Sequence, residues 1–371
     1  MIPGGYRNIN ALFDPPMWEQ RRRRIADIVT EVRPSSILEL GCGEGNILSF
    51  LIPPSDDDEH PISRIVGLDI DECEIEKAAQ RCKPNGWDHQ YPRCDPLQVQ
   101  LYHGSAAVPV GEFKGIDFII CSEVIEHMPT EDLELVAKTL FGVYQPRVCI
   151  VTTPNAEFNV YFPELNYGTP NSRFRHNDHH FEWTRQEFYD WQVAPGEARM
   201  LVPLPMCECM CTRMAGIYGY DFRVEGIGKL VNSEALKAYT GPDVGCCTQI
   251  AVFSKRSGAG LSCKASREDY IKGSERHPIP THAITFEYPV AKDQPLSPTH
   301  LRDLVVRYAG YIMDVKTGVF KFEELWQVWA VKSQFRRRRR LKEWLDEQCH
   351  HGLEFKLISN SGYTSQYQLL A

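Results

Sequence analysis

The sequence predicts an α/β protein with a mostly parallel, seven-stranded sheet, followed by a small and mainly helical C-terminal module. Two observations support this prediction. Seven apolar, strand-like segments lie within the first 256 residues, and amphipathic helical patterns separate several of them, which is typical of a parallel sheet covered on both faces. From residue 257 to 292 Gly, Ser and Pro become frequent and indicate a linker. We therefore predict domains at 1–256 and 293–371, with a linker at 257–292.

The predicted strands differ in how they are connected. The first five are SSILEL, RIVGLDI, VQLYH, IDFIICS and RVCIVTT, with helical patterns between several of them. YDFRVEGIG and CTQIAVFSK follow without an obvious helix between them, so we expect them to close the sheet as an antiparallel pair. After the linker, LRDLVVRYAGYIMDV and FEELWQVWAVKSQFRRRRRLKEWLDEQ are helical in pattern and form the C-terminal module.

Composition and charge restrict the classes of function. The chain has 371 residues, of which 43% are hydrophobic and 24% charged, as in globular proteins. Its formal net charge of −8 argues against a generally basic nucleic-acid binder, so any such contact would be local, at Arg21–Arg24 or Arg336–Arg340. No run of about 18 apolar residues is present, so we expect neither a signal peptide nor a membrane span, and a cytoplasmic location.

The 13 cysteines are typical of reduced thiols in a cytosolic protein, because their number is odd and they are scattered among apolar segments. Cys207, Cys209 and Cys211, with Cys246 and Cys247, are the only dense group in the sequence. Their alternate spacing is not the C-x2-C pattern of zinc sites, so a zinc site is the less favoured interpretation.

A glycine-rich turn follows the first strand. In ELGCGEG, Gly41, Gly43 and Gly45 would let the backbone approach a ligand closely at the carboxyl edge of a parallel sheet. On the glycines alone, an ordinary tight turn is an equal alternative. Asp69, at the end of the next strand, favours a ligand, because an acid there can accept hydrogen bonds from ribose hydroxyls. The spacing is not G-x-G-x-x-G, so a dinucleotide site is not predicted.

The turn, with Glu39 before its first glycine, resembles the S-adenosylmethionine site of class I methyltransferases. The resemblance implies that Asp69 holds the ribose of the methyl donor. It also implies that Gly104 and Ser105, in YHGSA after the third strand, frame the adenine. The expected cofactor-binding residues are Glu39, Gly41, Gly43, Asp69 and Ser105.

Two acids and an imidazole follow the fourth strand, in SEVIEH. An N-cap position explains one acid at the start of a helix, but it does not explain three such groups. Glu123 lies three residues before Glu126 and four before His127, so the three share one face if the turn is helical. A solvated helix face is the alternative, but the expected position beside the methyl donor favours a metal site.

A further ligand is expected from FRHNDHHFEWTRQEF, which follows the fifth strand. This segment contains His176, His179 and His180 together with Asp178 and Glu182. Three histidines so close together leave the choice of ligand open on sequence alone.

The combination of E-V-I-E-H with D-H-x-F-E-W-T-R resembles the Hen-type small-RNA methyltransferases, which methylate the 2′-hydroxyl of the 3′-terminal nucleotide. FDPPMWEQRR, GYDFRVEGIG and TQIAVF are similar too, so the resemblance covers roughly residues 6–256. It implies that Glu123, Glu126, His127 and His179 are the metal ligands and therefore the catalytic residues. It also puts Arg175, Phe181, Trp183 and Arg185 near the RNA terminus.

A divalent metal would suit this chemistry. A cation lowers the pKa of a ribose hydroxyl and aligns it with the methyl sulfonium, so no separate strong base is needed. The resemblance implies chelation of both the 2′- and the 3′-hydroxyl, and hence a free 3′ end. Mg²⁺ is the expected metal, but two imidazoles are softer ligands than Mg²⁺ prefers, so Mn²⁺, Co²⁺ and iron are alternatives.

The predicted substrate is a small, single-stranded, piRNA-like RNA with free 2′,3′-hydroxyls, because no double-stranded-RNA module is recognisable. Methylation would protect its 3′ end. Resemblance to animal-type members implies presentation by an Argonaute or Piwi protein, and we expect a monomer in the cytoplasm or its RNA granules. Two alternatives stay open. A small-diol methyltransferase would lack basic clusters, and a catalytically silent S-adenosylmethionine- or RNA-binding module would be expected to lack a metal ligand.

The arginine run at Arg336–Arg340 has two interpretations of equal weight. It is flanked by Phe335 and Trp344 and could contact RNA phosphates. Alternatively, it is a solvated helix face or a localisation signal.

Overall fold

The computed structural model describes residues 13–53, 60–189, 218–230, 239–257, 273–292, 295–351 and 354–370. The chain divides into two compact units, each made of several segments. The first comprises Met1–Ile52, Arg64–Cys82 and Val99–Thr285, and the second Pro53–Ser63, Lys83–Gln98 and Phe286–Ala371. No helix in the described part of the chain is both long and apolar enough to span a membrane.

An eight-stranded sheet forms the centre of the first unit. Its strands are β1 (Ser36–Leu40), β2 (Arg64–Asp69), β3 (Gln98–His103), β4 (Phe118–Ser122), β5 (Val148–Pro154), β6 (Tyr220–Ile227), β7 (Thr248–Lys255) and β8 (Thr281–Glu287). They lie in the order β6-β7-β5-β4-β1-β2-β3-β8. The neighbours β2-β1-β4-β5 are parallel, and β7 is antiparallel to both β5 and β6. The predicted fold class, with its antiparallel closing pair, is confirmed.

β8 lies within the segment interpreted above as a linker. It extends the sheet beyond β3, so the sheet has eight strands rather than seven. Its residues are exposed or half-buried, as expected of an edge strand with one solvated face. Such a strand carries no continuous apolar run, and the surrounding Pro and Gly dominate its composition. The domain boundaries at 256 and 293 stay a prediction.

The helices of the first unit connect the strands and cover the sheet. They are α1 (Met17–Val32), α2 (Asn46–Leu51), α3 (Glu72–Cys82), α5 (Leu133–Ala137), which continues as a π-helix over Lys138–Tyr144, and α6 (Arg185–Tyr189). Leu38, Val66 and Ile119 from the central strands pack in one core with Phe141 and Tyr144. Because the parallel strands are buried on both faces, polar groups after their carboxyl ends meet at one edge of the sheet.

The second unit is mainly helical, as predicted, but it also contains a small antiparallel sheet that the sequence patterns did not indicate. Its helices are α4 (Gly86–Gln90), α7 (Pro298–Ile312), α8 (Phe322–Trp326), α9 (Trp329–Phe335) and α10 (Arg338–His350). Its strands β9 (Val319–Lys321), β10 (Phe355–Ser359) and β11 (Gln366–Leu369) lie in the order β10-β11-β9. Trp326, Phe320, Phe355 and Tyr367 are fully buried in its core.

The arginine run makes ion pairs within the second unit. Arg337 donates from both terminal nitrogens to the carboxylate of Asp95, at 2.8 and 2.9 Å. Arg338, whose side chain is only 11% exposed, lies 3.1 Å from a carboxylate oxygen of Glu323. Arg339, in contrast, is 68% exposed. At least two arginines of the run therefore have a structural role that neither sequence interpretation included.

The described cysteines, among them Cys42, Cys121 and Cys149, are free thiols. Cys207, Cys209 and Cys211 lie outside the described residues, so the interpretation of that group stays a prediction.

Candidate active site

A first cavity of about 160 Å³ lies at the carboxyl ends of β1–β4 and is lined in part by Gly41, Asp69, Gly104 and Ser105. The glycine-rich turn after β1 shapes one side of it. Gly41 has φ +66°, and a Cβ there would lie 2.4 Å from a Cγ of Val124, so only glycine fits. The structure thus brings together four of the residues predicted to bind the methyl donor or frame its adenine.

Asp69 also braces the glycine turn. Its carboxylate accepts hydrogen bonds from the amide of Gly43 at 2.7 Å and from the amide of Asp71 at 3.0 Å. The acid therefore connects the end of β2 to the turn after β1 while it lines the cavity. Its role in holding a ribose stays a prediction.

Glu39 occupies a different place from the other predicted cofactor residues. It lies within β1, it is buried, and it is not among the residues that line the cavity. Burial raises the pKa of this carboxyl well above its ordinary value, and the negative charge of Asp69 acts in the same direction. The Glu39 side chain is therefore not part of the cavity wall, and its role in binding the methyl donor stays a prediction.

A second cavity, of about 460 Å³, is lined by Arg21, Glu123, Glu126, His127 and His179, among others. His127 lines both cavities. A group bound in the larger cavity would therefore lie next to the one that the resemblance assigns to the methyl donor.

Glu126, His127 and His179 form a cluster whose potential ligand atoms all lie within 4.8 Å of one another. Glu126 and His127 belong to a short 3₁₀ turn, Ile125–His127, that follows β4. Glu123 precedes this turn with φ +55°, so the expectation that all three share one helical face is wrong. A left-handed backbone at Glu123 redirects the chain between the strand and the turn.

Glu126 has an unsatisfied buried oxygen. The residue is fully buried, and its Oε2 accepts a hydrogen bond from Thr153 Oγ1 at 3.1 Å. Its Oε1 has no hydrogen-bond partner among the described residues. Burial, and then the charge of Glu123, raise the pKa of Glu126 well above its ordinary value. A buried carboxylate that shares a cluster with two imidazoles fits a divalent cation, which would neutralise it.

His179 is held by a buried carboxylate. Its Nδ1 lies 2.7 Å from Oε1 of Glu182, which also accepts from the amide of Arg175, while Oε2 of Glu182 accepts from Asn159 at 2.6 Å. Burial opposes ionisation of Glu182, but the hydrogen bond with His179 and the charge of Arg175 outweigh it and lower the pKa. Glu182 therefore fixes the ring and leaves Nε2 for a ligand.

His127 has a more exposed partner. Its Nδ1 lies 3.1 Å from Asp178, and its ring centroid lies 4.7 Å from that of His179. Burial is the main cause that lowers the pKa of His127, so the neutral, ligand-competent imidazole is favoured. Of the three loop histidines, only His179 joins the cluster. His176 pairs with Asp178, and His180 donates its backbone amide to Glu126 O.

Glu123 faces the larger cavity but lies outside the cluster. Its carboxylate accepts a hydrogen bond from Thr152 Oγ1 at 2.9 Å and lies 3.4 Å from Arg21 Nη1. A guanidinium thus already neutralises this acid, and its role as a metal ligand stays a prediction.

The other loop residues have structural contacts. Arg175 lines the larger cavity, but its guanidinium donates to Asn159 and to the carbonyl of Cys247. Arg185 donates to Glu157, and Phe181 and Trp183 stack with centroids 4.2 Å apart. The sequence patterns did not indicate the roles of Glu182 and Asn159. For Glu182, the sequence offers one indication: its carboxylate lies three residues after His179, close enough to orient the ring.

Comparisons with known proteins identify several similar methyltransferases. A family model described as a methyltransferase domain matches residues 17–194. The small RNA 2′-O-methyltransferase of Mus musculus is 33% identical over 279 residues, which cover 75% of this chain and 59% of the relative. The enzyme of that name from Schizosaccharomyces pombe is 33% identical over 261 residues, covering 68% and 64%. The chain thus spans less than two thirds of the length of these relatives.

A solved structure supports the fold. The crystal structure of the small RNA methyltransferase HEN1 matches with a TM-score of 0.53 and 23% identity, over 78% of this chain and 29% of that chain. The class I methyltransferase fold and the predicted resemblance to the Hen-type proteins are confirmed.

Proposed function

We propose that the chain transfers a methyl group from S-adenosylmethionine to the 2′-hydroxyl of the 3′-terminal nucleotide of small RNAs. Its motifs resemble those of the Hen-type small-RNA methyltransferases, and its relatives include proteins named small RNA 2′-O-methyltransferase. The observation that carries the proposal is the fully buried Glu126, whose Oε1 lacks a hydrogen-bond partner among the described residues and which shares a cluster with the imidazoles of His127 and His179. The larger cavity, which the cluster lines, shares His127 with the smaller cavity, which is the proposed site of the methyl donor.

Glu126, His127 and His179 would hold a divalent cation, which would lower the pKa of the ribose hydroxyl. Glu182 keeps the His179 ring oriented, and Thr153 does the same for the Glu126 carboxylate. In the transfer, the hydroxyl loses its proton to solvent and its oxygen bonds to the methyl carbon. The sulfur–methyl bond breaks, and S-adenosylhomocysteine is the product.

The identity of the cation is part of the proposal. Mg²⁺ is the first candidate, because ribose hydroxyls and carboxylates are oxygen ligands. Two imidazoles beside one carboxylate are softer than Mg²⁺ prefers, which supports Mn²⁺ or Co²⁺ as well. Glu123 would join as a fourth ligand if its carboxylate moved away from Arg21, which lies 3.4 Å from it.

We propose a small, single-stranded, piRNA-like substrate with free 2′,3′-hydroxyls, whose 3′ end is protected by methylation. A cavity of about 460 Å³ lies in the range of ligand sites, and it contains both a cationic side chain, Arg21, and an aromatic one, Phe162. Presentation by an Argonaute or Piwi protein, a monomeric state, and a location in the cytoplasm or RNA granules are further parts of this proposal.

The test is to incubate the protein with radiolabelled S-adenosylmethionine and matched RNAs that end in a 3′-hydroxyl or a 3′-phosphate. Label should enter only the 3′-hydroxyl RNA, and EDTA should prevent it. Equal labelling of the 3′-phosphate RNA would contradict the diol requirement. A parallel incubation with catechol tests the two alternatives. Labelling of catechol but not of RNA would support a small-diol methyltransferase, and no labelling of either would support a silent binding module.

A further inference from the structure

Residues 273–281, here called the strap, lie beside the smaller cavity. They connect to the loop after β3, because the amide of Ser105 donates to Pro278 O at 3.0 Å and the hydroxyl of Thr281 donates to His103 O at 3.4 Å. A Cβ at Gly104 would lie 2.4 Å from Pro280 Cα, and Gly104 has φ +152°. Glycine therefore allows the strap to approach this loop closely.

Asp132 is the buried anchor of the strap. It follows the turn that contains His127, lines the smaller cavity, and is only 2% exposed. Its Oδ1 lies 3.1 Å from Arg276 Nη2, and its Oδ2 lies 3.1 Å from His277 Nε2. A buried carboxylate is unfavourable without a compensating partner. Arg276 and His277 both belong to the strap. Their contacts with Asp132 therefore hold the strap in position.

His277 forms part of the wall of the smaller cavity, and its side chain is 18% exposed. The volume of about 160 Å³ lies below the roughly 300–1,000 Å³ of typical ligand sites. Ser105 and Gly104, which the resemblance assigns to the adenine of the donor, line the same cavity, and the amide of Ser105 donates to the carbonyl of Pro278, next to His277. A donor that enters beside them must therefore contact His277 or displace it.

We propose that the strap is part of the methyl-donor site, with His277 contacting the adenine and Asp132 acting as the positioning residue that holds His277. This inference rests on the proposed function, because it takes S-adenosylmethionine as the ligand. It gives the segment interpreted as a linker a binding role that no local motif indicates.

Calorimetry of the full chain with S-adenosylmethionine, without metal or RNA, tests the proposal. His277→Ala should raise the dissociation constant at least tenfold, and the affinity for free adenosine should fall by a similar factor. His277→Phe keeps an aromatic wall and the Arg276–Asp132 pair but removes the ring nitrogen that faces Asp132, so it should retain most of the donor affinity. Asp132→Asn should give an intermediate loss, because it weakens the contacts with both Arg276 and His277 that hold the strap.

Glu131→Gln is the matched control. Glu131 is exposed, adjoins Asp132 and lies 3.6 Å from Arg276, and its replacement should leave donor affinity unchanged. The proposal is overturned if folded His277→Ala binds the donor as the wild type does. It is also overturned if His277→Phe loses as much affinity as the alanine variant, because the contact with Asp132, and not the aromatic ring, would then matter. Failure of the wild type to bind S-adenosylmethionine would instead overturn the proposed function.

Discussion

The acid–imidazole cluster of the first unit and the arginine run of the second unit are both dense groups of ionisable residues, but their charges have different environments. Arg337 and Arg338 have acidic partners within 3.1 Å in their own unit. Glu126 is fully buried, and one of its oxygens lacks a hydrogen-bond partner among the described residues. A group whose charge is already neutralised stabilises the fold, whereas a buried charge left without a partner is available to a ligand.

The largest expected effect is on the cluster itself. Glu126→Gln and His179→Ala should each lower kcat/KM for RNA methylation by roughly 1,000-fold, or about 4 kcal/mol, because a catalytic metal contributes several kcal/mol. Methylation assays in excess Mn²⁺ measure this effect. Donor affinity, measured by calorimetry, should remain unchanged.

The same variant separates function from stability. Glu126→Gln replaces a buried ionisable carboxyl that lacks a full set of partners with a neutral amide, so the free energy of unfolding of this variant in EDTA should be no lower than that of the wild type. Near wild-type methylation by this variant would show that the ligand assignment is wrong.

A smaller effect is expected from the residue that supports His179. Glu182→Gln should weaken Mn²⁺ binding about 10–100-fold, because partners that orient a ligating histidine typically contribute that much. Titration calorimetry with Mn²⁺ measures this directly. The matched control is Glu157→Gln, whose carboxylate pairs with Arg185, and it should bind Mn²⁺ normally. Equal affinity in the two variants would remove Glu182 from the site.

The arginine run should respond in stability rather than in RNA binding. Arg337→Ala breaks the bidentate pair with Asp95 and should lower the free energy of unfolding by about 1–2 kcal/mol. Arg339→Ala is the control and should change it by less than about 0.5 kcal/mol, because Arg339 is exposed. Salt-dependent RNA binding tests the phosphate interpretation. A decrease of about 0.7 in the log–log slope for Arg337→Ala would indicate a phosphate contact.

The smallest effect concerns an acid of the first unit that has full partners. Asp117 accepts hydrogen bonds from Arg147 and from the amide of Ser35. Burial opposes its ionisation, but these hydrogen bonds outweigh it and lower the pKa of Asp117 below its ordinary value of 3.8. Asp117→Asn should therefore cost about 1 kcal/mol near neutral pH, a modest value because Arg147 is half exposed.

The pH dependence follows from the direction of this shift. As the pH falls, Asp117 binds a proton in the unfolded chain first, near its ordinary pKa of 3.8. The stabilisation by Asp117 is therefore fully present above pH 3.8 and is lost as the pH falls through the lower pKa of the folded protein. Denaturant unfolding of wild type and variant between pH 3 and 7 should show the two converging at low pH. A difference that stays constant over this range would assign the effect to packing rather than to charge.

The sequence by itself determined the fold class, the presence of the first seven strands with their antiparallel closing pair, the glycine turn, and the position of two acids and an imidazole after β4. These features depend on local patterns: the length of apolar runs, the spacing of glycines, and the rule that polar groups after parallel strands meet at one edge.

Only the tertiary structure decided which of these groups act together. It brought the imidazole of His179, rather than that of His176 or His180, within 4.8 Å of a Glu126 carboxylate oxygen and the His127 ring, and it paired Glu123 with Arg21. It also placed Arg337 against Asp95, 242 positions away, and Asp132 against the strap. Such contacts join residues far apart in the chain, and their partners are set by how the packed elements meet. The physical reason is that periodicity reports which face of an element is buried, but not which distant charge lies opposite it.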